Sequence, residues 1–145
     1  MDTISKRMEI STTLKTVSEG DGSKYRLSLY GLGGMTESHG DLYSMDDVGD
    51  NLATAMLWLN NVEGGGGTYF SSSGAEQIIK PVEGSALIWI NSMASGAPNI
   101  LQDHGGCPVF TGSKFTLTRW IFNYPQWKKG PCGLFENSSA VLPFR

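Results

Sequence analysis

The residues of this 145-residue chain that are best suited to metal chemistry are its two histidines and an aspartate close to the first of them. His39 and Asp41 form a His-x-Asp pair. On a β-strand, positions i and i+2 point to the same face, so an imidazole and a carboxylate spaced in this way can converge on one metal ion. The same pair also fits a histidine on a polar loop beside a surface aspartate, and the spacing alone does not decide between the two.

The second histidine, His104, extends this pattern because it precedes another strand-like run. Two imidazoles and one carboxylate form the facial triad that holds Fe(II) in non-haem oxygenases, with positions left open for co-substrate and O₂. We therefore predict a metal site of His39, Asp41 and His104. A structural zinc site that adds Cys107 and Cys132 to the two histidines is a second interpretation. It lacks a second close pair of ligands, and an oxidised cysteine pair would exclude it.

A lysine at the start of a predicted strand is a candidate for binding an anionic ligand. By period-two counting, Lys114 shares one strand face with Thr116, Thr118, Trp120 and Phe122. If that face points inward, the buried ammonium needs a partner of opposite charge. No acidic residue of the sequence obviously supplies that charge, whereas a dicarboxylate ligand would. The alternative is a lysine whose ammonium reaches solvent from the strand end.

Short β-like runs separated by glycine and proline must position these side chains. The predicted strands are residues 25–30, 53–59, 68–70, 77–79, 86–90, 109–110 and 115–122, and one helix is predicted over residues 4–17. This spacing predicts a mainly β double-stranded β-helix (jelly-roll) core with one short N-terminal helix. The glycine run 64–67 lacks the Gly-Lys-Ser/Thr ending of a phosphate-binding loop, and we interpret it as a flexible hairpin between two strands.

The composition narrows the class of partner. With 11 basic and 14 acidic residues the net charge is −3, which disfavours a nucleic-acid binder because such a protein carries a basic patch. Four tryptophans, six phenylalanines and five tyrosines exclude a disordered chain. No apolar run approaches the ~18 residues of a membrane span, and the amino terminus lacks the apolar core of a secretory signal. The sequence thus predicts one glycine-rich domain with no nucleic-acid or membrane partner.

Several motifs give the sequence a family resemblance. The most specific is His104-Gly105-Gly106-Cys107-Pro108-Val109, followed by the lysine at position 114. Further matching stretches are residues 29–34, 37–41, 58–65, 67–70, 84–89, 112–114, 119–121 and 131–134. Together they resemble the catalytic domain of prolyl 4-hydroxylase alpha subunits, Fe(II)/2-oxoglutarate-dependent dioxygenases, over about residues 5–134. The collagen-type animal subunit is the nearest form.

The resemblance implies a role for individual residues. It assigns residues 1–134 to the dioxygenase domain and residues 135–145 to a C-terminal tail. By similarity, the Fe(II) ligands are His39, Asp41 and His104. Lys114 pairs with the distal carboxylate of 2-oxoglutarate, Tyr30 helps to hold that co-substrate, and Thr118 and Trp120 line its pocket.

The implied activity is hydroxylation of peptidyl proline, in procollagen-like peptides, to 4-hydroxyproline. It is coupled to oxidative decarboxylation of 2-oxoglutarate to succinate and CO₂, and it uses O₂ and L-ascorbate. The resemblance also implies a collagen-like, proline-rich substrate, protein disulfide isomerase as the beta subunit, and the endoplasmic reticulum lumen as location. Cys107 and Cys132 fall where the collagen-type enzymes form an intrachain disulfide.

Some positions depart from the family pattern. Thr36 and Ser38 stand where an aromatic residue and a proline usually precede the first metal histidine, and residues 51–52 replace an expected arginine. The family's assembly and peptide-binding domains and its flanking strands have no counterpart in the sequence, which we therefore interpret as a fragment or truncated product. The second functional hypothesis follows from that: a truncated, catalytically inactive jelly roll that binds peptides or serves in assembly.

Overall fold

The structure is a computed structural model that describes residues 3–16, 25–45, 49–71 and 77–126. Within these ranges it has one α-helix, α1 (Thr3–Thr12), and eleven strands. The strands are β1 (Arg26–Tyr30), β2 (Thr36–His39), β3 (Ser44–Met45), β4 (Gly49–Trp58), β5 (Gly64–Gly65), β6 (Thr68–Phe70), β7 (Gln77–Ile79), β8 (Ala86–Ile90), β9 (His104–Gly106), β10 (Val109–Thr111) and β11 (Lys114–Phe122). The predicted mainly β jelly-roll fold with one N-terminal helix is confirmed.

The helix ends earlier than the predicted range of 4–17. The Thr12 hydroxyl donates to the backbone oxygen of Met8 and accepts from the backbone N–H of Leu14. Thr13 then takes a left-handed conformation, with φ of 59°, which stops the helical hydrogen-bond pattern. In the part of the chain that the structure describes, no helix is both long and apolar enough to span a membrane.

The larger sheet is antiparallel and is built around β4 and β11. Its strand order is β1, β11, β4, and the far edge of β4 pairs with β8 and then with β3. Tyr30 lies opposite Lys114, which places the two side chains on neighbouring strands. Thr54 of β4 lies opposite Trp120 of β11 on one side and opposite Trp89 of β8 on the other. The register therefore gathers residues from distant parts of the sequence on one face.

The smaller sheet has the order β2, β9, β6, β7. Its central pairing places His39 directly opposite His104, so the two histidines meet although they are far apart in sequence. A Cβ atom at Gly105 would lie 2.5 Å from the Tyr69 hydroxyl and 2.7 Å from the Thr36 carbonyl oxygen. The packing next to His104 thus requires a glycine.

The glycine run 64–67 corrects one prediction. It does not form a flexible hairpin between its neighbouring strands, because Gly64–Gly65 pairs antiparallel with β10. Gly65 has a φ of +77°, and a Cβ there would lie 2.1 Å from the Pro108 carbonyl oxygen. Only glycine allows the two backbones to approach so closely.

The two faces of the larger sheet have different neighbours. One face packs against α1 through an apolar cluster of Met8, Leu14, Ala53, Ala55 and Ile121. The other face looks toward the smaller sheet, and a cavity lies between them. The predicted tail 135–145 lies outside the described residues, so the domain boundary at 134 stays a prediction.

Candidate active site

The three predicted metal ligands lie together at one end of the cavity. His39 Nε2 is 3.6 Å from Asp41 Oδ1, and His104 Nε2 is 3.7 Å from Asp41 Oδ2. One ligand atom from each residue can be chosen so that all lie within 4.8 Å of one another. Two imidazole nitrogens and a carboxylate at this separation suit a divalent transition metal.

The backbone fixes how both imidazoles point. His39 Nδ1 lies 2.9 Å from the backbone oxygen of Glu37, and His104 Nδ1 lies 2.9 Å from that of Gln102. Because a carbonyl oxygen can only accept, each Nδ1 donates its proton there, and each Nε2 is the nitrogen that faces Asp41 and is available to a metal. This tautomer is the one that a metal ligand requires.

His104 is also held in its neutral form by its surroundings. Burial lowers the pKa of His104, and the neighbouring His39 acts in the same direction. The Gln102 carbonyl oxygen, Asp41 and Asp103 act in the opposite direction, and the net shift of the pKa is downward. The rings of Trp89 and Phe70 lie 4.5 and 5.7 Å from the imidazole, centroid to centroid, and supply that burial.

Three buried polar residues support Asp41. The Thr54 hydroxyl donates to Asp41 Oδ2 at 2.7 Å, and Asn91 Nδ2 donates to that hydroxyl at 2.9 Å. Asn51 Nδ2 donates to the Asp41 backbone oxygen at 2.9 Å. The sequence analysis missed these three residues. Thr54 had a signal, since it is the one polar residue inside the apolar run 53–59 that was predicted as a buried strand.

Lys114 lies in the same cavity and is buried, with only 4% of its surface exposed. It therefore does not reach solvent from the strand end, and that alternative is wrong. Its Nζ is 5.4 Å from the ring centroid of Tyr30. No carboxylate oxygen of the described residues lies within 4 Å of it. Burial lowers the pKa of Lys114, and the nearby Cys107 opposes that shift.

The cavity encloses about 120 Å³ and is lined from both sheets. All seven predicted site residues contribute to its wall: His39, Asp41, His104, Lys114, Tyr30, Thr118 and Trp120. Three further polar groups of the wall are buried without a hydrogen-bond partner among the described residues, namely Thr68 Oγ1, Trp89 Nε1 and Trp120 Nε1. Among the described residues, Asp41 is the only carboxylate in the lining. A wall with so many unused donors and one buried ammonium fits a ligand rich in acceptor oxygens, such as a dicarboxylate.

An aromatic group that the sequence analysis did not predict stands beside Asp41. Tyr43 packs edge-on against Trp120 and Phe122, at 5.7 and 5.9 Å between ring centroids. Burial, and then the charge of Asp41, raises the pKa of Tyr43 to about 12, although Arg26 opposes the shift. The phenol of Tyr43 is therefore harder to ionise than that of a free tyrosine. An aromatic residue two positions after the aspartate was the available signal.

The geometry does not support the zinc interpretation. Among the described residues, the group of potential metal ligands consists of the two histidines and Asp41, without Cys107. Cys132 lies outside the described residues. Its pairing with Cys107 therefore stays a prediction.

Comparisons with known proteins agree with this geometry. Residues 25–122 match the sequence model of the 2OG-Fe(II) oxygenase superfamily. Human prolyl 4-hydroxylase subunit alpha-1 is 33% identical over 115 residues, which are 74% of this chain and 21% of that protein. Prolyl 4-hydroxylase subunit alpha-2 of Caenorhabditis elegans is 28% identical over 144 residues, 94% of this chain and 26% of that protein. The chain thus spans only about a fifth to a quarter of the length of these relatives.

Among the solved structures that match most of the chain is that of a viral enzyme. It is the viral collagen prolyl hydroxylase vCPH from Paramecium Bursaria Chlorella virus-1 in complex with 2OG. The TM-score is 0.64 at 25% sequence identity, and the match covers 82% of this chain and 70% of the viral one.

Proposed function

This chain belongs to the 2OG-Fe(II) oxygenase superfamily, and we propose on that premise that it hydroxylates peptidyl proline, using Fe(II), 2-oxoglutarate and O₂. The observation that carries the proposal is the shared cavity, which holds a His-Asp-His group at one end and a buried lysine without a carboxylate partner. The first suits a divalent metal and the second suits a carboxylate. Both requirements of the reaction are met within one pocket.

The triad residues would hold the iron. His39 and His104 turn their Nε2 atoms toward Asp41, whose carboxylate would offset the charge of the cation. When bound, Fe(II) would supply the O₂ chemistry that couples hydroxylation to decarboxylation. The contribution of the chain is to fix the ligand atoms and to leave open positions on the metal.

Lys114 would bind the carboxylate of 2-oxoglutarate that lies farther from the metal. Its ammonium is buried between the two sheets beside Tyr30, so a bound carboxylate would be shielded from water and would pair strongly with it. The unused donors of Thr68, Trp89 and Trp120 can bind further oxygens in the pocket. A bound carboxylate would supply the negative charge that the described residues do not provide to this buried lysine.

We extend the proposal to the finer properties of the relatives. These are a procollagen-like or other proline-rich peptide as substrate, L-ascorbate as a requirement, protein disulfide isomerase as partner and the endoplasmic reticulum lumen as location. A Cys107–Cys132 disulfide belongs to the same set. They rest on similarity to the prolyl 4-hydroxylase alpha subunits.

An anaerobic titration with Fe(II) and 2-oxoglutarate tests the site. We expect a visible charge-transfer band that requires both additions. The band should be lost in His104→Ala, and in Lys114→Met it should need a higher 2-oxoglutarate concentration. Lys80→Met removes an exposed lysine outside the cavity and should leave the band unchanged. A folded wild-type chain that gives no band would overturn the proposed co-substrate site.

A second assay tests the reaction itself. A proline-rich peptide should gain one oxygen atom per turnover, with one succinate and one CO₂ formed, as the balanced reaction demands. A band without peptide oxidation or succinate would instead favour the hypothesis of an inactive binding module.

A further inference from the structure

Asp41 accepts a hydrogen bond from Thr54, which in turn accepts one from Asn91, so the direction of donation along the three side chains is fixed. The Thr54 oxygen has one proton to donate and two lone pairs to accept with. Asn91 Nδ2 donates to it at 2.9 Å, and Asn51 Nδ2 lies 3.5 Å away. Since an amide nitrogen can only donate, the Thr54 oxygen must act as acceptor toward both. Its single proton is therefore committed to Asp41 Oδ2, at 2.7 Å.

The three residues that hydrogen-bond to one another behind Asp41 are buried. Thr54 and Asn51 have no exposed surface, and Asn91 exposes 4% of its surface. Water therefore does not compete for the Thr54 hydroxyl, and the hydrogen bond to the Asp41 carboxylate forms in a low-dielectric environment. Thr54 owes its position to β4, whose alternation turns it toward the cavity while Ala53 and Ala55 face the helix.

The two oxygens of Asp41 differ as a result. Thr54 engages one lone pair of Oδ2, which also lies 3.7 Å from His104 Nε2, whereas Oδ1 lies 3.6 Å from His39 Nε2. The hydrogen bond also restricts rotation of the carboxylate about its last torsion. We propose that Thr54 and Asn91 are positioning residues, which orient Asp41 so that Oδ1 binds the metal and the carboxylate does not chelate through both oxygens. This inference rests on the metal site of the proposed function.

The proposal predicts a loss of metal affinity in Thr54→Val, which keeps the shape of the side chain and removes the proton donor. Residues that hydrogen-bond to a metal ligand typically contribute about 10- to 100-fold to metal affinity. We expect the loss in Thr54→Val to lie in that range. Thr54→Ser retains the hydroxyl and should bind metal as the wild type does. Asn91→Leu should give a smaller loss of metal affinity. The Thr54 hydroxyl is kept in this variant, but Asn91 no longer fixes the direction in which it donates.

The experiment is a titration of the metal-free chain with Co(II), followed by its visible absorption spectrum, without 2-oxoglutarate. The spectrum reports coordination geometry, so a change of Asp41 from one-oxygen to two-oxygen binding should alter the band shape of Thr54→Val as well as its affinity. The control is Thr12→Val, which removes a buried hydroxyl and its hydrogen bond to Met8 on the helix side of the sheet. It should lower the melting temperature without changing the Co(II) titration.

The outcomes separate the two proposals. If Thr54→Val is folded and binds Co(II) with wild-type affinity and spectrum, the positioning role is overturned while the metal site stands. If Thr54→Val does not fold, Asn91→Leu decides, and wild-type affinity and spectrum in that variant overturn the role. If the folded wild type binds no Co(II), both the metal site and the positioning role fail.

Discussion

The two faces of β4 follow opposite rules. On the helix side, Ala53 and Ala55 contribute to an apolar cluster with Met8. On the cavity side of the same strand, Met56 and Trp58 pack with Trp89, while Thr54 is hydrogen-bonded to the metal-site aspartate. Adjacent residues of β4 thus have different roles, since Ala53 and Ala55 pack on the helix side and Thr54 contacts the metal-site aspartate.

The difference lies in which polar groups find partners. On the helix side, the buried hydroxyl of Thr12 is hydrogen-bonded within the chain. On the cavity side, Lys114 has no carboxylate partner within the described residues, and the polar atoms of Thr68, Trp89 and Trp120 are buried without partners there. Such groups cost folding free energy. Their concentration on one face indicates that this face is shaped for a ligand rather than for stability.

Asp41→Ala should produce the largest effect on the cavity face. Removing the one carboxylate that the described residues contribute to the cavity should abolish both turnover and the rise in melting temperature that Fe(II) or Mn(II) causes in the wild type, because a ligand stabilises only the state it binds. The measurement is thermal unfolding with and without metal, together with succinate formation. Asp103→Ala is the matched control, since Asp103 precedes His104 but lies outside the group of metal ligands. Equal metal-induced shifts in Asp41→Ala and the wild type would contradict the assignment.

Lys114→Met should separate function from stability. The loss of a charge-assisted hydrogen bond worth ~1.5–3 kcal/mol should weaken 2-oxoglutarate binding roughly 10- to 100-fold. The same variant should be more stable than the wild type in the absence of ligand, by about 1 kcal/mol, because an unpaired buried ammonium is removed. Titration with 2-oxoglutarate and chemical denaturation check the two effects. A variant that is both less stable and unimpaired in binding would show that Lys114 has a structural role.

Met8→Ala should show the reverse behaviour on the helix face. Truncating a buried methionine costs about 2–5 kcal/mol of unfolding free energy, since it removes apolar contacts and leaves a cavity. The metal affinity of the folded fraction should stay at the wild-type value, because the sheet separates Met8 from the triad. Denaturation and Co(II) titration on the same samples provide the check. Weakened metal binding in the folded protein would mean that the two faces are coupled through the sheet.

The sequence analysis succeeded where a local pattern determines the structure. Period-two counting predicted that Lys114, Thr118 and Trp120 share a face, and all three line the cavity. The His-x-Asp spacing predicted that His39 and Asp41 converge, and they do. For the lysine face the geometry of a single strand, β11, is sufficient. Asp41 instead lies just past the end of β2, so strand alternation alone does not place it beside His39.

Prediction failed where strand register determines the contact. The contacts of Asn51 and Asn91 with Asp41 and Thr54 depend on how β4 pairs with β8 and how the loop after β2 returns to the sheet. The pairing of residues 64–65 with β10 depends on close backbone approach, which the glycines permit but do not specify. The end of the helix was predicted too late because nothing in the sequence marks the left-handed conformation of Thr13, where the helical hydrogen bonds stop.

The smallest effect we predict concerns pH, and it bears on the same lysine. The folded-state pKa of Lys114 lies below its ordinary value of 10.5, so the unfolded chain binds the proton more readily. The contribution of Lys114 to stability is therefore complete above pH 10.5 and declines as the pH falls toward the lowered folded-state value. Unfolding free energy should rise with pH over this alkaline range by a slope that Lys114→Met removes and Lys80→Met retains.

Saturating 2-oxoglutarate with Mn(II) should also flatten that slope, because a bound carboxylate stabilises the charged ammonium and raises the pKa of Lys114 again. Urea denaturation at a series of pH values, with and without the ligand, measures both effects. Equal slopes in the wild type and Lys114→Met would show that the ammonium is not desolvated in the folded chain. The contrast between the two faces would then rest on the triad and its hydrogen-bonded support alone.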